Sequence, residues 1–341
     1  MHQTHAAFCL IFSLFFSVFC FSASARAQDA DPAAPLTFAD AITLDNGKIK
    51  IQIAPSVGRV VWFGLSNQEN LLWLDTPAIY DNPRISPTTG QKYYNIGGDK
   101  IWVSPQDMWI HATGNKRWPP DGVLDGSPWS LLAQDATSIT IQSPPSPHFG
   151  VQITRRFELL SGSYQLTIRN TVKRLSRHPI PVMIWSITQV KQPHAVLLDL
   201  DPRRPKLEQT YCKMKVPSDD LLEQAIRQVN GDNGAIALNN RVLTKVEFKI
   251  GTLGCWIAAI YDHVVFRQST TFDPDGAYPE VSNVQTYTSS ESPFAEIELL
   301  SPQSHPHAGQ AIDNTVIWEL LPIANPQSAQ SLVMRLDPVA P

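Results

Sequence analysis

After Pro35 the chain alternates apolar and polar positions in short runs. The segments KIKIQIAP (48–55), GRVVWFGL (58–65), SITIQS (138–143), VQITRRFEL (151–159), YQLTIRNTV (164–172), VMIWSITQV (182–190), KVEFKI (245–250), CWIAAIYD (255–262), VVFRQSTTF (264–272), FAEIELLSP (294–302), TVIWELL (315–321) and SLVMRLDP (331–338) are rich in Val, Ile, Thr and aromatic residues. A side-chain period of two marks a strand with one face in a core, and the Gly, Pro, Asn and Asp residues between the runs close one strand and open the next. The pattern predicts a many-stranded, antiparallel, all-β protein. One run has a helical period instead. Leu221, Leu222, Ala225, Ile226 and Val229 form an apolar stripe, Ser218 can cap it, Asp219 and Asp220 suit its positive end, and Gly231 closes it. This short helix is expected against a sheet edge or end. The stretch Asn95–Gly126 has almost no period of either kind and reads as a long connection. With no repeat of fixed period and no linker of distinct composition, residues 28–341 read as one large β-sandwich domain.

Composition adds bounds. A chain of 341 residues that is 43% hydrophobic and 17% charged can bury a large core. The net charge of -4, with no basic run, removes the counterion-release attraction that nucleic-acid binding draws on, so no nucleic acid is expected as a partner. Residues 1–27 read as a signal peptide: Ala6 to Phe21 is apolar apart from Ser13 and Ser17, and Ala25-Arg26-Ala27 offers small residues at the two positions a signal peptidase reads. The expected mature chain starts at Gln28 and is periplasmic or secreted. The apolar run of 16 residues is shorter than the roughly 20 that span a bilayer, so no stable membrane insertion is expected. Cys20 follows the bulky Phe19, which argues against a lipid anchor. Cleavage leaves Cys212 and Cys255, and a bridge between them and two separate buried thiols are both open. No Cys or His spacing fits a zinc site, and neither metal nor cofactor is expected.

The order LDNGKIKIQIAPSVGRVVWFGL, ENLLWL, NIGGDKIWVSPQ, WPPDGVLDGSPW, WSITQV and FAEIELLSP resembles a bacterial domain family of unassigned function within the galactose mutarotase-like superfamily, over nearly the whole mature chain. Its opening is similar to the start of aldose 1-epimerases, and IGGDKIWVSP to a loop of the hexose-6-phosphate mutarotase branch. The resemblance implies a supersandwich of two large, twisted antiparallel sheets with a sugar-binding cleft on one of them.

A sugar presents apolar C–H faces and rims of hydroxyls, so its cleft calls for flat aromatic surface beside charged and amide groups. Trp102, Trp109 and Trp118 can supply the first, with Trp129 close by. Asp99, Lys100 and Arg117 can supply the second, together with Asp107, Asp121 and Asp125. Asp121-Gly122 and Asp125-Gly126 are equally turn chemistry. The resemblance points to Glu298, in EIELLSP, as the base that takes the anomeric proton. Glu296 lies two residues away on the same side of the strand, and Ile297 and Leu299 on the other. The family's acid, a His, falls near VMIWSITQV, which has none; Trp185 and Gln189 stand there, and His111 is the candidate replacement. Three readings stay open: an exported carbohydrate-binding protein, an aldose epimerase or mutarotase with a Glu base and a non-standard acid, and an exported interaction protein using its aromatics as an interface. The sugar and the oligomeric state are not legible.

Overall fold

The computed structural model describes residues 38–75, 84–85, 92–93, 95–103, 105–114, 120–205, 210–229, 234–291, 293–326 and 329, all within one compact unit, Pro35–Pro341. The expected leader and the run 331–338 lie outside them. The alternating segments become two large antiparallel sheets. One has nine strands, in spatial order Ile42–Asp45, Ile49–Ala54, Arg59–Leu65, Asp99–Val103, Ile184–Lys191, Phe294–Leu300, Val284–Thr288, Phe248–Thr252 and Cys212–Lys215. The other has ten: Ile226–Val229, Ala235–Asn239, Ala195–Asp199, Trp256–Ile260, Val264–Ser269, Ala311–Pro322, Gln165–Arg174, Val151–Leu159, Ser138–Gln142 and Ser130–Gln134.

The sheets bury their inward alternate positions against each other. Phe63 of the nine-stranded sheet meets Phe266 and Trp318 of the ten-stranded one at centroid distances of 5.0 and 4.9 Å, tilted and edge-on, and fully buried Ile51, Ile153, Ile297 and Leu299 extend the layer. Each such side chain stabilises the fold by about 1.5–3 kcal/mol through the apolar surface it removes from water.

Two elements differ from the sequence expectation. The helix covers only Asp219–Ala225; Ser218 caps it, its Oγ accepting from Leu221 N at 3.2 Å, but Ile226–Val229 leaves the helix as an edge strand on Ala235–Asn239. β-Branched Ile226 and Val229 gain more from sheet pairing than from another helical turn. The stretch Asn95–Gly126, expected to be a connection, holds the strand Asp99–Val103 and the short helices Trp109–Thr113 and Gly122–Gly126. The strand hides because it is buried on both faces, so it shows no alternation.

Among the described residues, Cys212 and Cys255 are free thiols, not a bridge. Cys212 Sγ donates to Val281 O, and Cys255 Sγ to Asp201 Oδ2 at 3.2 Å, with burial pushing the Cys255 thiol up to about 12.

Candidate functional site on the outer face of the nine-stranded sheet

The Ile96-Gly97-Gly98 corner sets which way the next side chains point. Gly97 and Gly98 have φ of 86° and 71°, and a Cβ there would fall 2.2 Å from Trp73 O and 2.3 Å from Val60 O respectively, so both conformation and space require glycine. The strand that follows pairs with Ile184–Lys191, with Asp99 opposite Thr188, Lys100 opposite Ile187 and Trp102 opposite Trp185. That strand pairs in turn with Phe294–Leu300, with Gln189 opposite Glu296 and Ile187 opposite Glu298. Tyr287 lies opposite Glu296 and Lys249 opposite Tyr287. Paired residues share a face, so Lys100, Trp102, Trp185, Gln189, Lys249, Tyr287, Glu296 and Glu298 project together from one side of the sheet. Asp99, Thr188, Ile297 and Leu299 project from the other side, toward the second sheet.

The outer face combines an indole cluster with ion pairs. Trp102 packs edge-on against Trp109 and Trp185 at 5.2 and 5.3 Å, and Trp109 lies 6.5 Å from Trp185. Each indole N–H is engaged: Trp102 donates to Asp125 Oδ1 (2.9 Å), Trp109 to Val103 O (3.1 Å) and Trp185 to Glu298 Oε2 (2.8 Å). Arg59 pairs with Asp125 at 2.9 Å and donates to Gly97 O, and Lys249 pairs with Glu298 at 3.0 Å. Gln189 Nε2 donates to Glu296 Oε1 at 2.9 Å. Four buried polar atoms here have no hydrogen-bond partner among the described residues: Arg59 Nε, Lys100 Nζ, Gln189 Oε1 and Glu298 Oε1. Burying such a group unpaired costs about 1–3 kcal/mol, more if it is charged, so a ligand that satisfied them would recover that cost.

The two carboxyls on Phe294–Leu300 live in different surroundings. Glu298 has Lys249 and the Trp185 N–H; Glu296 has the neutral amide of Gln189 and, when protonated, the neighbouring Glu298 carboxylate as an acceptor. Burial, and next the charge of Glu298, push Glu296 up to about 7. Lys100 is pushed down to about 8, by burial first and the charge of Arg59 second. A buried acid with a raised folded pKa adds stability that is fully present below its unfolded value of about 4.5 and lost as pH rises through about 7. Glu296→Gln, which mimics the protonated acid, should therefore raise the melting temperature by several degrees at pH 8 and leave it nearly unchanged at pH 4.5. Thermal unfolding at the two pH values checks this, and equal shifts at both would contradict it.

A family model for a domain of unknown function, DUF4380, matches residues 39–321. The chain belongs to the DUF4380 family. Curated proteins give no sequence match. Among solved structures, the DUF4380 domain is similar to a galactose mutarotase-like protein from Lactobacillus casei ATCC 334, with a TM-score of 0.55 and 12% identity over 82% of this chain and 100% of that one. It is also similar to a galactose mutarotase related enzyme from Lactobacillus acidophilus, with a TM-score of 0.54 and 10% identity over 82% of this chain and 97% of that one. At this identity the likeness establishes the fold, which is galactose mutarotase-like.

Of the residues the sequence singled out, Lys100, Trp102, Trp109, Gln189, Glu296 and Glu298 gather on the outer face of the DUF4380 sheet. Asp99 does not. It points between the sheets, where it is 1% exposed, forms an ion pair with Arg155 and accepts from Thr188 Oγ1 at 2.9 Å. The reason is the strand period: a residue next to Lys100 must face the opposite way. His111 is exposed on the helix that begins with Trp109, and Arg117 and Trp118 lie outside the described residues. Asp121 caps the helix Gly122–Gly126, accepting from Val123 N, whereas Asp125 joins the outer face through Arg59 and Trp102. Sequence reasoning did not select Arg59 or Lys249. Arg59 follows the left-handed Gly58, and Lys249 alternates with buried Phe248 and Ile250; pairing across strands separates them from ordinary surface cations. No group of three or more His, Cys, Asp or Glu among the described residues is placed to hold a metal ion.

Proposed function

We propose that the DUF4380 domain binds a saccharide on the outer face of its nine-stranded sheet. The observation that carries this reading is the set of buried polar atoms without partners, Lys100 Nζ, Gln189 Oε1, Glu298 Oε1 and Arg59 Nε, beside the Trp102–Trp109–Trp185 cluster. Sugar hydroxyls both donate and accept, so one ring can serve an ammonium, an amide oxygen and a carboxylate oxygen while its C–H face lies on indole. The names of the similar solved structures point the same way. The mature protein is proposed to be exported, on the strength of the leader pattern. Intrinsic fluorescence tests the binding reading: a bound sugar should shift the emission of the three clustered indoles, and Trp102→Phe should diminish the response. A panel of neutral and acidic monosaccharides that neither shifts emission nor releases heat in calorimetry would leave the interaction-protein reading ahead.

A second reading, aldose mutarotation, is favoured by the unequal carboxyls. Two carboxyls on one face with different partners, a cation for Glu298 and a neutral amide for Glu296, are what acid–base chemistry at an anomeric carbon can use. Glu298, ion-paired with Lys249, is the proposed base. Glu296, protonated below about pH 7, is the proposed acid in place of the missing histidine. His111, on the helix whose Trp109 packs against Trp185, is the competing acid.

A further inference from the structure

Among the described residues, six mostly buried charged side chains meet on or beside the outer face, and four of them are matched; the exposed Lys215 and Glu247 at its margin pair with each other. Arg59 is bound to Asp125 at 2.9 Å and Lys249 to Glu298 at 3.0 Å, and each pair cancels most of its own field. The remaining two are Glu296, whose carboxyl is engaged by the amide of Gln189, and Lys100. Lys100 is 3% exposed, its Nζ has no hydrogen-bond partner among the described residues, and it stands 4.8 Å over the ring of Trp102. Cation–π attraction to an indole recovers only part of the cost of burying an ammonium, so the rest of its desolvation is unmet. Its Coulomb neighbours, Arg59, Asp125, Glu296 and Glu298, give it no ion pair within 4 Å.

From this geometry we infer that Lys100 is the anchor for a carboxylate carried by the saccharide, so that the ligand is an acidic sugar of the uronate class rather than a neutral one. The inference rests on the saccharide-binding reading above and names the ligand class of that site. A single ammonium matches a single negative charge in size and sign. A phosphate ester, close to two charges at neutral pH, calls for a second free cation, and among the described residues Arg59 and Lys249 are already bound. The face does not repel the incoming anion as its carboxyls alone would suggest. Asp125 and Glu298 are neutralised by their partners, and Glu296, raised to about 7, surrenders its charge near neutrality. Tyr287, which shares this face, is pushed up by burial and stays uncharged. Once bound, the carboxylate would face Lys100 while the ring hydroxyls reach Gln189 Oε1 and Glu298 Oε1.

Calorimetry at pH 6.5 with D-galacturonate, D-glucuronate and D-mannuronate, each beside its neutral parent hexose and the 6-phosphate of that hexose, tests this. At least one uronate should bind tenfold or more tightly than its parent and than the phosphate, and Lys100→Met should bring the uronate-to-parent ratio to about one. Because Lys100→Met can perturb folding, a pH titration of Glu296→Gln, in which no carboxyl at that position ionises in the same range, is the second measurement: the uronate preference should disappear between pH 7 and pH 9, as Lys100, lowered to about 8, loses its proton. Equal binding of uronate and parent would overturn the inference and leave the saccharide reading standing. Tighter binding of the phosphates would overturn the choice of carboxylate. Binding of none of these sugars in calorimetry, with no fluorescence response in the panel above, would overturn both.

Discussion

Arg155→Met should destabilise the protein by about 3–5 kcal/mol, because it strands a carboxylate between two sheets. Arg155, from Val151–Leu159, reaches across the sandwich to Asp99 of the other sheet; both side chains are 1% exposed. The network runs on: Arg155 Nε donates to Asn170 Oδ1 at 3.0 Å, Thr188 Oγ1 to Asp99 Oδ2 at 2.9 Å, and Gln268 Nε2 to Thr188 Oγ1 at 2.8 Å. Removing the cation leaves Asp99 with Thr188 alone, far short of what a buried carboxylate requires. Asp99→Leu should cost a similar amount, and the double variant Arg155→Met/Asp99→Leu should regain much of the loss, since two apolar groups leave no charge unpaired. Urea titrations of the three variants check this. A cost below about 1 kcal/mol for Arg155→Met, or losses that simply add in the double variant, would mean that the pair is not the isolated buried unit described here.

Glu298→Gln should lower mutarotation by about 10²–10⁴ while changing sugar affinity little, if the carboxylate takes the anomeric proton. Glutamine keeps the shape and can still accept from Trp185 Nε1, but it has no basicity and no charge for Lys249. The acid is assigned by pH. With Glu296 as the donor, turnover should fall as pH rises through about 7, and Glu296→Gln should abolish that dependence together with most of the rate, whereas His111→Ala should leave both in place. Polarimetry on freshly dissolved sugar, beginning with the uronates, supplies the readout. A Glu298→Gln protein as fast as its parent would remove the assignment of the base, and a pH limb that moves with His111→Ala would pass the role of acid to the helix.

The sequence by itself determined the all-β class, because strand alternation records which face of each strand is buried. Ile297 and Leu299 toward the core with Glu296 and Glu298 opposite is the clearest case. Its order of motifs resembled a known family, which implied the galactose mutarotase-like fold, and it pointed to most of the residues that meet on the outer face. It could not show that Asp99 and Lys100, adjacent in one motif, serve opposite sides of a sheet: their strand is buried on both faces, so its pattern carries no sign of direction until its partners fix the register. The extent of the Ser218 helix was likewise decided outside its own residues, since Ile226–Val229 follows the free edge of Ala235–Asn239. Above all, only the tertiary structure decided which charges cancel. Arg59 with Asp125 is a pairing across 66 residues and Lys249 with Glu298 across 49, and no local spacing encodes either. Lys100 is left over because every neighbouring carboxylate among the described residues is already engaged, by a cation or by the amide of Gln189, which is a property of the assembled face and not of any segment within it.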